Sequence, residues 1–239
     1  MPGHKGRAFL GCEALDYTEI AGADSLYEAD GIIARSEENA AALFGSGYTF
    51  YSTEGSSQCI RAMIFTALQQ AGREGRLPEG TRPLILAGRN AHKAFLLACA
   101  LMDLDVRWLY PEDPAAAEGT VNSAGTAAEN AAASGLAGES PAYSLCACPL
   151  SPQQLERCLA EEPAPFAVYI TSPDYLGHLA DISALSAVCR RHHVPLLVDN
   201  AHGAYLHFLP EDLHPLAAGA DLCCDSAHKT LPVLTGGAY

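Results

Sequence analysis

The chain has 239 residues, 49% hydrophobic and 18% charged, with a formal net charge of −14. That length and apolar content suit one large globular domain and exclude a disordered chain. The acidic balance argues against nucleic-acid and anionic-membrane surfaces; with no bilayer-length apolar run and no charged-then-apolar leader, a cytoplasmic location is expected.

Residues 1–34 are rich in Gly and acids, show no period, and form an N-terminal segment ahead of a large domain over 35–239. Ser36 to Phe44 has a helical pattern, with Ser36 as N-cap and Gly45 as the stop. Tyr48 to Tyr51 predicts a short strand. Gly55-Ser56-Ser57 opens a helix to about Ala71, with Ile60, Met63, Ile64, Ala67 and Leu68 on its apolar face. Pro83 to Ala87 predicts a buried strand, His92 to Leu101 a helix, and Val106 to Leu109 a strand.

Residues 113–141 are dominated by Ala, Gly, Ser, Glu and Asn, with little to bury, and read as a mobile surface excursion without an assigned function. Order returns at Ser151-Pro152-Gln153-Gln154, a capping-box-like start with proline at the first helical position. That helix runs to about Glu161. Phe166 to Ile170 predicts a strand, Asp181 to His193 a helix, and Pro195 to Val198 a strand. A short element near Leu213 to Ala218 precedes a last strand at Leu222 to Cys224. Apolar strands alternating with helices predict an α/β fold whose mostly parallel sheet is covered on both faces.

The nine cysteines form no CxxC pair and sit mostly among apolar residues, which suits a reduced compartment. Cys146-Ala147-Cys148 and His192-His193 match no common zinc spacing, so no metal is expected.

Ligands of such sheets bind beyond the carboxyl ends of the strands. Asp199, Thr171-Ser172, Arg89-Asn90 and the turn from Ser226 to Lys229 all follow predicted strands directly, so they are expected to share a pocket. An acid at a strand end and a lysine 30 residues later supply the two groups that pyridoxal phosphate (PLP) needs. The lysine forms the imine with the cofactor's aldehyde, and the acid keeps the pyridine nitrogen protonated. An imine-forming Lys229 needs a lowered pKa, which partial burial or a nearby positive charge provides. Gly55-Ser56-Ser57 at a helix start offers free N–H groups and hydroxyls to a phosphate, although a plain N-cap reads the same way. His92 is placed to stack on a planar cofactor, or is simply a helix-start histidine. Ser226 and His228 flank Lys229 within reach of a phosphate. His202, three residues after Asp199, is either near the substrate or a hydrogen-bonded structural histidine.

With these residues assembled, the chain resembles the Orn/Lys/Arg decarboxylases, fold-type-I PLP enzymes. Seven motifs occur in that family's order. Met1-Pro2-Gly3-His4-Lys5-Gly6, Asp16-Tyr17-Thr18-Glu19, Gly55-Ser56-Ser57 and Arg89-Asn90-Ala91-His92-Lys93 come first. Thr171-Ser172-Pro173-Asp174-Tyr175-Leu176-Gly177, Val198-Asp199-Asn200-Ala201-His202-Gly203-Ala204 and Gly219-Ala220-Asp221 with Ser226-Ala227-His228-Lys229-Thr230-Leu231-Pro232 follow. The resemblance implies that Lys229 carries the imine, Asp199 faces the ring nitrogen, and His92 stacks on the ring. It also implies that Gly55, Ser56, Ser57, Ser226 and His228 hold the phosphate, with His202 close to ring and substrate. The implied reaction removes the α-carboxylate of lysine, ornithine or arginine as CO2 and leaves a diamine or agmatine, a step of polyamine metabolism, in a full-length homodimer. The family usually reads Asp-Glu-Ala-His-Gly-Ala-His where this chain has Asn200 and Tyr205. It also continues beyond this chain into a smaller C-terminal domain, so a truncated, non-catalytic remnant is the alternative expectation. Another fold-type-I reaction, aminotransfer or β-elimination, is the runner-up.

Overall fold

The computed structural model describes residues 3–17, 20, 22–111 and 147–239. The Ala-rich excursion, Cys146, and Met1, Pro2, Thr18 and Glu19 of the first two motifs lie outside the described residues. Five strands form one sheet: β1 (Leu84–Gly88), β2 (Asp105–Leu109), β3 (Ala167–Thr171), β4 (Leu196–Asp199) and β5 (Leu222–Cys224). Their order is β2-β1-β3-β4-β5, and every neighbouring pair is parallel. The helices are α1 (Ile32–Phe44), α2 (Ser56–Arg73), α3 (Lys93–Leu101), α4 (Pro152–Leu159), α5 (Ile182–Arg191) and the short α6 (Ala227–Thr230).

The alternation of side chains along each strand divides the core in two. On one face, Ile60 and Ile64 of α2 and Phe95 of α3 pack with Ile85, Tyr169 and Leu197. On the other, Leu155 of α4 and Leu185 of α5 pack with Leu86, Val168 and Val198. Covering both faces is what makes β1 and β4 read as unbroken apolar runs, and both are buried along their whole length. Ile64 is fully buried. Ile64→Val is expected to cost about 0.5–1.5 kcal/mol, seen as a lower urea midpoint with an unchanged slope.

Four local expectations are corrected. Helix α1 begins at Ile32, because Asp24 Oδ2 accepts from the backbone N–H of Gly31 at 2.9 Å and of Ile33 at 2.8 Å. Ser36 therefore lies inside the helix, with its hydroxyl 2.9 Å from that of Tyr51, and a boundary at residues 34/35 would cut α1. Gly45 does end the helix, in the left-handed conformation at φ 66°. Tyr48 to Tyr51 is not a strand. Only Ser52 makes a bridge, to Ala238, and Tyr48 and Phe50 are exposed and stacked on each other at 6.4 Å. Residues 213–218 form a turn, while a 3-10 helix occupies Ala204–Phe208. Ser151 caps α4 by accepting from Gln154 N at 3.0 Å, but the Gln154 side chain donates to Tyr110 O, so the reciprocal half of the box is not made.

Strand β5 has one sheet neighbour. Beyond it, Asp225 and Tyr239 exchange backbone hydrogen bonds at 2.7 and 3.0 Å, and Ser52 and Ala238 do so at 2.8 and 3.0 Å. A cavity of about 620 Å³ lies beside this edge, lined by Phe44, Tyr48, Phe50, Met63, Leu222 and Tyr239 among others.

Candidate active site

The chemistry-bearing residues gather elsewhere, at the carboxyl end of the sheet. The parallel register aligns Thr171 with Asp199 and Asp199 with Cys224, so three strands end flush. The strand order reverses at β1, from which the chain runs first to β2 and then, on the other side, to β3. A ligand crevice is expected at such a reversal.

Asp199 is the last residue of β4 and is 2% exposed. Its Oδ2 accepts from the Tyr169 hydroxyl at 2.9 Å, and its Oδ1 accepts from Ala201 N at 3.2 Å and from the Cys224 thiol at 3.6 Å. Tyr169 is fully buried, and burial first, then the Asp199 charge, push its pKa well above the ordinary value. It therefore stays a neutral donor that fixes the carboxylate in one orientation.

Lys229 sits in α6, and its Nζ is 3.1 Å from His202 Nε2. It is exposed, not partly buried. The reason is that α6 is a single turn on the outside of the sheet end. His202 is half-buried, and partial burial, then the Lys229 charge, lower its pKa from the ordinary 6.5; Asp199 opposes this and His92 adds to it. A neutral His202 has an Nε2 lone pair to accept from the Lys229 ammonium. A histidine with a depressed folded pKa binds fewer protons folded than unfolded. The fold therefore gains stability as pH rises through that window and loses it as pH falls below 6.5. His202→Gln is expected to reduce this loss, read as a smaller drop in urea midpoint between neutral pH and a pH below 6.5.

Helix α2 points its N-terminus at the same place. Gly55 is its N-cap at φ 70°, a left-handed conformation that favours glycine, and a Cβ there would lie 3.9 Å from His228 Cε1. Gly55 and His228 are pinned to one loop, because Gly55 N donates to Gly236 O at 2.9 Å and His228 N to Gly237 O at 3.2 Å. Ser56 and Ser57 start the helix and are half-buried. The N–H groups of this first turn have no intrahelical acceptor, which favours an anion. Ser226 is fully buried with its hydroxyl 3.4 Å from His228 Nδ1. His92 caps α3, its Nδ1 accepting from Ala94 N at 3.1 Å, which fixes the ring beside the crevice. The structure thus brings Gly55, at the start of the helix that carries Ser56 and Ser57, beside His228, and Lys229 beside His202, which also feels the charges of Asp199 and His92.

The residues present fit PLP. A buried carboxylate, an exposed amine and an anion-binding helix start meet at one sheet end. In addition, the hydroxyls of Thr171, the last residue of β3, and of Thr230, beside Lys229, are buried with no hydrogen-bond partner.

Sequence reasoning missed Tyr169, Asn200 and Asp225. Asp225 Oδ1 accepts from Asn200 Nδ2, and Oδ2 accepts from His214 Nε2 at 3.1 Å and the Cys223 thiol at 3.1 Å. Leu216 N donates to His214 Nδ1 at 3.4 Å, which leaves the ring proton on Nε2, facing the carboxylate. The only hint in the sequence was polarity: a tyrosine inside the apolar run Phe166 to Ile170, and an acid between the last strand and Ser226.

An all-parallel sheet with helices on both faces and this strand-end constellation define a fold-type-I PLP-dependent large domain. Residues 6–239 match the family profile "Orn/Lys/Arg decarboxylase, major domain", and the chain belongs to that family. It is 31% identical over 229 residues to the uncharacterized protein YaaO of Bacillus subtilis, covering 94% of this chain and 39% of that one. It is 29% identical to an arginine decarboxylase of Halalkalibacterium halodurans, covering 96% of this chain and 41% of the relative. The chain therefore spans about two-fifths of the length of these relatives. Among solved structures, mouse CSAD superposes with a TM-score of 0.61 at 22% identity, over 90% of this chain and 43% of that one. The E. coli constitutive lysine decarboxylase superposes with a TM-score of 0.57 at 22% identity, over 90% of this chain and 26% of that one. These likenesses show the fold. Among the described residues, no helix is long and apolar enough to cross a membrane.

Proposed function

We propose that this chain is the cofactor-binding portion of a PLP-dependent decarboxylase that acts on a basic amino acid, arginine, lysine or ornithine, and works as a cytoplasmic homodimer at full length. The observation that carries the reading is the meeting of Lys229 with His202 3.1 Å away, immediately after the strand that ends in buried Asp199. When bound, PLP supplies an electron sink for the pair left on the α-carbon as the carboxylate departs.

The chain's own residues hold and orient. Lys229 supplies the amine that tethers the cofactor. Asp199, held by Tyr169, keeps a proton on the ring nitrogen. His92 would pack against the ring. The α2 N-terminus with Gly55, Ser56 and Ser57, together with Ser226 and His228, would hold the phosphate. Neutral His202 accepts a hydrogen bond from Lys229 Nζ at 3.1 Å and so holds the amine in place at the strand end. The net charge of −14 attracts a cationic substrate and repels acidic ones.

The test is to supply PLP and each basic amino acid in turn and to analyse the products. CO2 with the matching amine supports the reading. A keto acid would assign an aminotransferase instead. The second reading is a non-catalytic member of the family that keeps the cofactor site. PLP capture without any product would select it.

A further inference from the structure

We propose that Asn200 and Asp225 are a positioning pair that locks the end of β4, with Asp199, to the end of β5, with Ser226 and Lys229. The proposal rests on the cofactor reading above and adds residues that the resemblance does not assign. Both side chains are buried, Asn200 fully and Asp225 to 1% exposure. Asn200 is held at two points on β5: its backbone N donates to Cys224 O at 3.0 Å, and its Nδ2 donates to Asp225 Oδ1. Asp225 in turn accepts from His214 and Cys223 and pairs by its backbone with Tyr239. The carboxylate thus collects three donors, from beyond β4, from the 213–218 turn and from β5, and the Asp225 backbone adds the 236–239 segment.

Gly203 makes room for the Asn200 side chain, since a Cβ there would lie 2.0 Å from Asn200 Oδ1, an atom with no hydrogen-bond partner. The orientation of the amide is set by Asp225, whose carboxylate only accepts. The amide nitrogen therefore faces Asp225, and only a donor serves there, because a second buried carboxylate would repel the first. The single carboxylate of the buried pair stands at 225 and the amide at 200.

The experiment compares wild type, N200D, D225N and the isosteric exchange N200D/D225N. It reads the visible absorbance of added PLP, the pH midpoint of that absorbance, and the thermal midpoint without PLP. N200D is expected to weaken PLP capture about tenfold or more and to move the pH midpoint upward, since added negative charge favours the protonated form of the lysine–cofactor link. N200D/D225N is expected to capture PLP about threefold or more tighter than N200D and to return the pH midpoint toward wild type. A merely structural pair would change the thermal midpoint and leave the pH midpoint still. N200D capturing PLP like wild type, or an exchange no better than N200D, would overturn the proposal. No capture by wild type would sink the cofactor reading instead. In that case the thermal midpoints of the four proteins read the β4–β5 lock alone: additive changes refute it, and rescue by the exchange supports it.

Discussion

Lys229→Ala is expected to leave added PLP with the absorbance of free cofactor, whereas the wild-type chain shifts it. Lys229 is the amine that follows the buried Ser226 by three residues and stands 3.1 Å from His202. The substitution should not unfold the protein. Lys229 is exposed, and exposed substitutions away from special features usually change stability by within about 0.5 kcal/mol. Loss of the absorbance shift with an unchanged urea midpoint is the expected pair of results. Lys93 is the necessary control, because it directly follows His92 near the same crevice and is also exposed. Lys93→Ala should keep the shift. A shift that survives Lys229→Ala and vanishes in Lys93→Ala would move the tether to the other lysine and undo the site as drawn.

Most of the sheet was legible because its strands are buried on both faces. Burial on both faces writes a strand as an unbroken apolar run, and β1, β3 and β4 appear within a residue or two of where such runs stand; β5, a part-buried edge strand, falls on its apolar run as well. Helix starts were legible where the cap is adjacent in sequence: His92, Ser151 and Asp181 each accept a backbone N–H of the first turn. The start of α1 was not, because Asp24 acts from seven residues before Gly31 and nine before Ile33. Tyr48 to Tyr51 has the composition of a strand, but a strand is made by its partners, and here only Ser52 has one.

The same distinction separates the site residues that were found from those that were not. Asp199 and Lys229 follow apolar runs, so topology alone carries them to the sheet's carboxyl end. Tyr169 touches Asp199 only because the β3–β4 register places Tyr169 opposite Leu197, on the face that Asp199 shares two residues later. No local pattern encodes that register. The Asn200–Asp225 bond likewise spans 25 residues and depends on β4 and β5 ending together. The exposure of Lys229 came from the shortness of α6, four residues long, which no spacing announced.

Asp199→Asn separates the charge of this residue from its place in the fold. Asparagine has the same shape, and its carbonyl can still accept from the Tyr169 hydroxyl, the contact that is 2.9 Å long in the native protein. What it cannot do is carry a negative charge opposite a protonated ring nitrogen. Removing one partner of a buried charge pair costs about 3–5 kcal/mol, so PLP affinity should fall by that amount, a hundredfold or more on the order-of-magnitude scale of RT. Without cofactor the variant should lose about 1–3 kcal/mol, because its Nδ2 would stand opposite the Ala201 N–H and the Cys224 thiol that Oδ1 accepts from in the native protein. Affinities are therefore compared under conditions where both proteins are folded. Tyr169→Phe is the graded companion. It keeps the charge but removes the neutral donor that orients it, and a single hydrogen bond of this kind contributes about 0.5–1.5 kcal/mol. Titration of the visible absorbance should therefore rank wild type first, Tyr169→Phe second and Asp199→Asn far behind. Equal affinity in Asp199→Asn and wild type would mean that the carboxylate does not face the ring nitrogen, and the cofactor would have to lie in the crevice the other way round.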